Sequence, residues 1–304
     1  MTVPQISFED GDHILSWKGV MDALAEGHKR PEAEIGDTFL YQGNRTLLSR
    51  SAWIKGLGLA VKTATIFPDN TGQDLPAING ALSLFSDETG EIEALIDFHL
   101  VTKWKTAGDS LLATSKLAHP DSRSILIIGA GTVAASLIDG YRELFPAAQI
   151  VLWNRTKDSA DTLAAQSPGV SVAADLPDAV RRADIVSCAT MSTDPVLHGE
   201  WLQPGQHIDL IGAYRPDMRE ADDAALRKGR IFVDSRQTTL DHIGELKIPL
   251  ASGVISPQDI QADYYDFGAF TRESDEEITI FKNGGGAHLD LMVSRYIFDQ
   301  WCAS

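Results

Sequence analysis

Two sets of residues in this chain have the types and spacing to do chemistry. The first is Gly129-x-Gly131-x-x-Ala134, which follows an apolar run from Ser124 to Ile128 and precedes a helical pattern through Leu137, Tyr141 and Leu144. In that setting Gly129 permits a tight turn and Gly131 lets a pyrophosphate approach the backbone. Ala134 keeps the helix close to the strand, and the helix N-terminus favours phosphate. The chemistry implied is binding of a dinucleotide, with Gly129, Gly131, Thr132 and Val133 as its first contacts. At the end of the second strand of such a unit an acidic residue would favour NAD, but the chain has Asn154-Arg155. Asn154 can bond a ribose. Arg155 can pair with a 2′-phosphate, which favours NADPH, or stack on adenine, which leaves NADH acceptable. Thr190 and Ser235, each just past a further strand, complete the expected cofactor contacts. The second set is cationic. Lys62 lies within an apolar alternation, Leu57 to Thr65, where an ammonium is costly unless it has a partner or turns to solvent.

The elements that must position these residues fall into two patterns. Residues 38–97 alternate with period two, as strands at 38–41, 46–51, 57–65, 77–85 and 93–96 separated by turns. A short strand (3–8) and a helix from Ser16 precede them, and one long helix, His99 to His119, follows. Beyond Pro120 strands and helices alternate, which predicts a doubly wound parallel sheet of Rossmann type. The strands expected there are 149–153, 171–173, 184–189, 207–211, 230–234 and 277–281; the helices are 159–166, 177–183 and 220–228, with a terminal helix at 290–301. The expected architecture is α/β, with a Rossmann domain at 120–288 and a smaller α+β domain formed by 1–119 with 289–304.

Composition limits the partners. With 26 Lys and Arg against 43 Asp and Glu, a net charge of -17 argues against nucleic acid and anionic membranes. No apolar run is long enough to span a bilayer, no charged-then-apolar leader opens the chain, and Cys188 and Cys302 suit a reducing compartment, so the expectation is a cytoplasmic enzyme. His99, His119, His207, His242 and His288 show no metal-ligand spacing and are expected as caps or surface residues, with no metal.

Several motifs in register resemble the ornithine cyclodeaminase/μ-crystallin family over nearly the whole chain. They are Ala60-Val61-Lys62, Lys105-Thr106-Ala107, Gly129-Ala-Gly131, Asp209-Leu-Ile-Gly212-Ala-Tyr214-Arg-Pro216 with Glu220, Val233-Asp234-Ser235, Gly244-Glu245-Leu246 and Thr279-Ile-Phe281-Lys282. The resemblance implies a homodimer built through the N-terminal sheet, NAD(P)H in the second domain, and a small anionic imino acid between domains. It implies that Lys62 lies against the substrate carboxylate and can donate a proton toward the imine nitrogen, with Lys105 in support; Arg50, preferred to Arg45 because Asn44-Arg45 reads as a turn, is the further substrate contact expected. Asp290, on the closing helix, is expected chiefly as a cap.

Two departures narrow the activity. Where ornithine-cyclising members carry an aspartate two residues before the proline, this chain has Tyr214, whose phenol is no base near neutrality. Lys105 replaces the family's usual arginine, a point charge for a bidentate fork. The first favours C=N reduction over cyclodeamination; the second means that the substrate or cofactor contact at Lys105 differs in geometry. Arg50, Lys62 and Lys105 together suit a dicarboxylate. The branch it most resembles reduces iminosuccinate to L-aspartate. Cyclic ketimines such as Δ1-pyrroline-2-carboxylate and iminopyruvate (alanine dehydrogenase activity) are the alternatives, and an NADPH-dependent μ-crystallin-like binding protein is the reading from another class.

Overall fold

The computed structural model describes residues 3–73 and 75–304. In chain order its elements begin with β1 (Gln5–Ile6), α1 (Phe8–Asp12), α2 (Trp17–Gly27), β2 (Glu34–Gln42), β3 (Arg45–Ile54), β4 (Gly58–Ile66), β5 (Ile78–Phe85), β6 (Ile92–Asp97) and α3 (Phe98–Leu117). There follow β7 (Ser124–Ile128), α4 (Thr132–Leu144), β8 (Gln149–Trp153), α5 (Lys157–Gln166), β9 (Ser171–Val172), α6 (Leu176–Arg182), β10 (Ile185–Cys188) and β11 (His207–Leu210). The remainder are α7 (Asp223–Lys228), β12 (Arg230–Val233), α8 (Arg236–Thr239), α9 (Gly244–Ala251), β13 (Ile260–Ala262), β14 (Thr279–Lys282) and α10 (Ala287–Ala303). Two compact units result: residues 1–105 with 286–304, and residues 106–285. The division falls inside α3, upstream of the Pro120 boundary expected from sequence.

The first unit is a six-stranded sheet in the order β1-β6-β5-β4-β3-β2. Strands β2 to β6 form an antiparallel meander, with β1 parallel to β6. Period-two burial is clearest on β4, where Gly58, Ala60, Lys62 and Ala64 are buried and the residues between them only partly so. The small alanines of that face, with Ala52 on β3, suit close packing of α10, which lies against both strands and against α2. The strand expected at 3–8 is only two residues long. Ser7 and Asp10 form a capping box that starts α1 at Phe8 instead.

The second unit is an all-parallel eight-stranded sheet, β13-β12-β14-β11-β10-β7-β8-β9. Strands β7, β10, β11 and β14 consist almost wholly of buried residues, as both-face burial requires. The chain leaves β7 toward β8 and β9 on one side, then returns to β10 and β11 on the other. The sheet therefore changes direction between β7 and β10, the position where such folds bind ligands. Helices α8 and α9 and strand β13 were not expected from sequence. Glu220 lies ahead of α7, which begins only at Asp223 behind an Asp222 cap.

Candidate functional site

In the first unit, β3 and β4 pair so that Arg50 stands directly across from Lys62, and Lys62 in turn across from Leu82 on β5. The strand carrying Arg50 continues to Ile54, so the residue is central rather than terminal. Lys62 is 8% exposed, which removes the solvent-facing alternative. Its Nζ donates to Asp290 Oδ1 at 3.0 Å and to Thr102 Oγ1 at 2.9 Å, and lies 4.6 Å from the centre of the Phe98 ring. Phe98, Thr102 and Lys105 are spaced four and three residues apart, so α3 presents them along one face. Lys105 is buried, not a surface lysine.

The electrostatics follow from this crowding. Burial pulls the Lys62 ammonium down to about 8; Asp290 opposes that pull, while Lys105 and Arg50 reinforce it. Burial pushes Asp290 up, but Lys62, Lys105 and Arg50 outweigh it and hold the carboxyl below its usual range. His288, two residues before Asp290, is fully buried, and burial, His28, Lys105 and Arg50 drive its pKa well below that of an ordinary imidazole. The rings of His288 and His28 meet edge to face at 5.2 Å. The expectation of a capping or surface role therefore fails for His288; His207, fully buried and bonded to Thr279, departs from it too. Arg50 forks onto Asp37, its cross-strand partner, with Nε 3.1 and 3.2 Å from the two carboxylate oxygens and an ion pair at 3.0 Å.

In the second unit the glycine turn sits at the C-terminal end of β7. Gly129 has φ +125°, and a Cβ there would lie 2.6 Å from the Ala189 carbonyl oxygen, so the ends of β7 and β10 approach closely. Gly131 is the N-cap of α4; no side chain caps the helix, and a Cβ on Gly131 would meet nothing within 4 Å. The helix end is open and Thr132 is exposed beside it. A dinucleotide pyrophosphate fits such an end, because backbone N–H groups and the helix dipole both attract it. After β8, Asn154 donates to the Thr156 carbonyl at 2.9 Å and Arg155 is exposed. Ser235 is buried as the N-cap of α8.

Glu220 supports this crevice in a way the sequence did not signal. Its fully buried carboxylate accepts from Thr190 N at 2.7 Å, Thr190 Oγ1 at 2.8 Å, Gly212 N at 2.6 Å and Ala213 N at 3.3 Å, tying together the loops that follow β10 and β11. Glu245 in turn accepts from the backbone N–H groups of Glu220 and Ala221. Burial pushes the Glu220 carboxyl up to about 7 against the pull of Lys282. Tyr214, in the loop beyond, is exposed. Among the described residues no cluster of His, Cys, Asp and Glu could hold a metal, and no helix is long and apolar enough to cross a membrane.

Residues 50–304 match the ornithine cyclodeaminase/mu-crystallin family. The chain belongs to that family. It is 49% identical to the Delta(1)-pyrroline-2-carboxylate reductase of Paracoccus denitrificans over 97% of this chain and 96% of that protein. Among solved structures it is similar to the Thermococcus litoralis Delta(1)-pyrroline-2-carboxylate reductase in complex with NADH and L-proline, with a TM-score of 0.91, 26% identity, and 99% and 98% of the two chains covered. An archaeal alanine dehydrogenase dimer with bound NAD also gives 0.91, at 27% identity over 100% of this chain and 97% of that one.

Proposed function

We propose that this protein reduces a cyclic α-imino acid, Δ1-pyrroline-2-carboxylate, to L-proline with a nicotinamide cofactor. The observation that carries the reading is the buried Lys62–Asp290 pair, flanked by the cations Arg50 and Lys105. A carboxylate next to an imine needs such cations, and the imine nitrogen needs a neighbour that manages its proton. The relative named for this reaction, nearly half identical across almost its whole length, supports the same substrate. The dicarboxylate expectation loses its main support, because Asp37 already occupies the fork of Arg50. Iminosuccinate and iminopyruvate thus become the competitors in the test.

The nicotinamide supplies hydride when bound. Gly129, Gly131, Thr132 and Val133 would hold its pyrophosphate, and Asn154 and Arg155 its adenosine ribose, with Thr190 and Ser235 at neighbouring strand ends. The exposed Arg155 favours NADPH and leaves NADH acceptable. Lys62 and Lys105 would hold the carboxylate. Positioning dominates the rate gain in this scheme, and acid assistance adds on the order of 10²–10⁴. A homodimer is part of the proposal: the edge strand β2 exposes Phe39, Leu40 and Tyr41, a surface that a second copy would cover.

The test is oxidation of NADPH and NADH by the purified protein with Δ1-pyrroline-2-carboxylate, oxaloacetate plus ammonia, or pyruvate plus ammonia. Turnover of the cyclic imine that disappears in Lys62→Met supports the proposal. Turnover confined to the dicarboxylate would restore the iminosuccinate reading, and cofactor binding without turnover of any imine would indicate a binding protein.

A further inference from the structure

Asp290 is the one carboxylate in the first two turns of α10, within the sequence Ala287-His-Leu-Asp-Leu-Met-Val293, and it is 1% exposed. Only half of it is used. Oδ1 accepts from Lys62 Nζ, but Oδ2 is buried with no hydrogen-bond partner among the described residues. An unsatisfied buried carboxylate oxygen is costly, and native chains retain such atoms where a ligand completes them. Cations face Asp290 from three elements: Lys62 on β4, Lys105 on α3 and Arg50 on β3. A free anion would pair with those cations. It would not bond Oδ2, which needs a donor.

We infer that Asp290 is a substrate-binding catalytic residue whose Oδ2 accepts the N–H of the protonated cyclic imine. This rests on the imine-reductase reading above and deepens it: the substrate is recognised as a zwitterion, its carboxylate by lysine and its iminium by aspartate. A carboxylate held in a dry site beside the nitrogen keeps the imine protonated where water would deprotonate it. The protonated form is the electrophile. Hydride addition then forms the C–H bond, the C=N π pair moves onto nitrogen, the imine is reduced as the nicotinamide is oxidised, and the N–H on Oδ2 is retained in the product amine. Lys62 thereby gains a second task, because its hydrogen bond orients Asp290 so that Oδ2 remains available.

Two planar probes separate this role from a merely structural one. Pyrrole-2-carboxylate presents an N–H at the imine position, whereas furan-2-carboxylate has an oxygen there and the same carboxylate. Calorimetric titration of cofactor-saturated protein should show the pyrrole binding about ten- to a hundredfold more tightly, the range for a hydrogen bond to a charged group. In Asp290→Asn, Lys62 would keep the amide oxygen and the Nδ2 donor would meet the pyrrole N–H, so the ratio should fall to about one. Affinity for the cofactor, read by quenching of protein fluorescence, should be unchanged.

Equal binding of the two probes by the wild type would overturn the assignment, and it needs no variant. So would a preference that survives in Asp290→Asn. If only an open-chain imine is turned over, the choice of substrate fails while the same probe ratio still judges Asp290.

Discussion

The titration of Lys62 gives the account its most exposed prediction. Burial among Ala60, Ala64 and Phe98 brings its pKa down to about 8, so the ammonium that would hold the substrate carboxylate is lost at mildly alkaline pH. From that value, about nine in ten of these side chains carry charge at pH 7 and about one in ten at pH 9. Affinity for pyrrole-2-carboxylate, whose own charge is constant over this range, should be flat below about pH 8 and then fall about tenfold per pH unit. Lys62→Arg keeps its charge throughout, so its affinity, though weaker, should not show this limb. Stability should move the other way. The folded-state pKa lies below the ordinary lysine value of 10.5, so between about 8 and 10.5 the unfolded chain binds more protons and folding gains as pH rises. Relative to Lys62→Arg, the wild-type melting temperature should climb across that window while its affinity drops. A flat wild-type affinity profile to pH 9.5, or the same limb in Lys62→Arg, would refute the placement of the charge.

Four further outcomes follow from the second unit and the sheet edge. Glu220→Ala strips the acceptor from three backbone N–H groups and a hydroxyl, at about 1–3 kcal/mol for each buried group left unpaired, partly relieved by relaxation. Chemical denaturation should show a loss of several kcal/mol, with Glu220→Gln costing less. The raised Glu220 pKa means that the folded chain holds the extra proton between about 4.5 and 7, so stability falls with rising pH there, a slope that Glu220→Gln should flatten. Gly131→Val places a branched side chain in open space, so melting should barely change while the cofactor Kd rises about tenfold or more, measured by fluorescence titration. Tyr41→Glu, on the exposed edge strand, should shift a dimer toward monomer in sedimentation analysis.

Much of the second unit could be read from the sequence because a strand buried on both faces must be continuously apolar, as Ile125 to Ile128 are, and because the glycine turn directly follows it. Lys62 was legible for the opposite reason: a charge in a buried alternation requires a partner. The partner itself was not legible. Asp290 lies 228 residues away and, like His288, sits near the start of a helix, where an acidic or imidazole side chain reads as a cap. Only the sheet register and the packing of α10 on β3 and β4 bring Asp290 to the lysine. Glu220 follows the Gly212-to-Pro216 stretch closely in sequence, but four donors from two separate loops converge on it only in the folded sheet. The unit boundary at Lys105 leaves no trace in the sequence, since α3 continues through it without a proline and Gly108, just beyond, does not interrupt the helix.

The central claim is that a buried Lys62–Asp290 pair serves reduction of a cyclic imine, and the ratio of kcat/KM for Δ1-pyrroline-2-carboxylate to that for iminosuccinate tests it most directly. A ratio above about ten is expected in the wild type, the preference that arises when a second carboxylate has no partner of its own. Both activities should be lost in Lys62→Met. A ratio below one, or full activity in Lys62→Met, would contradict the claim.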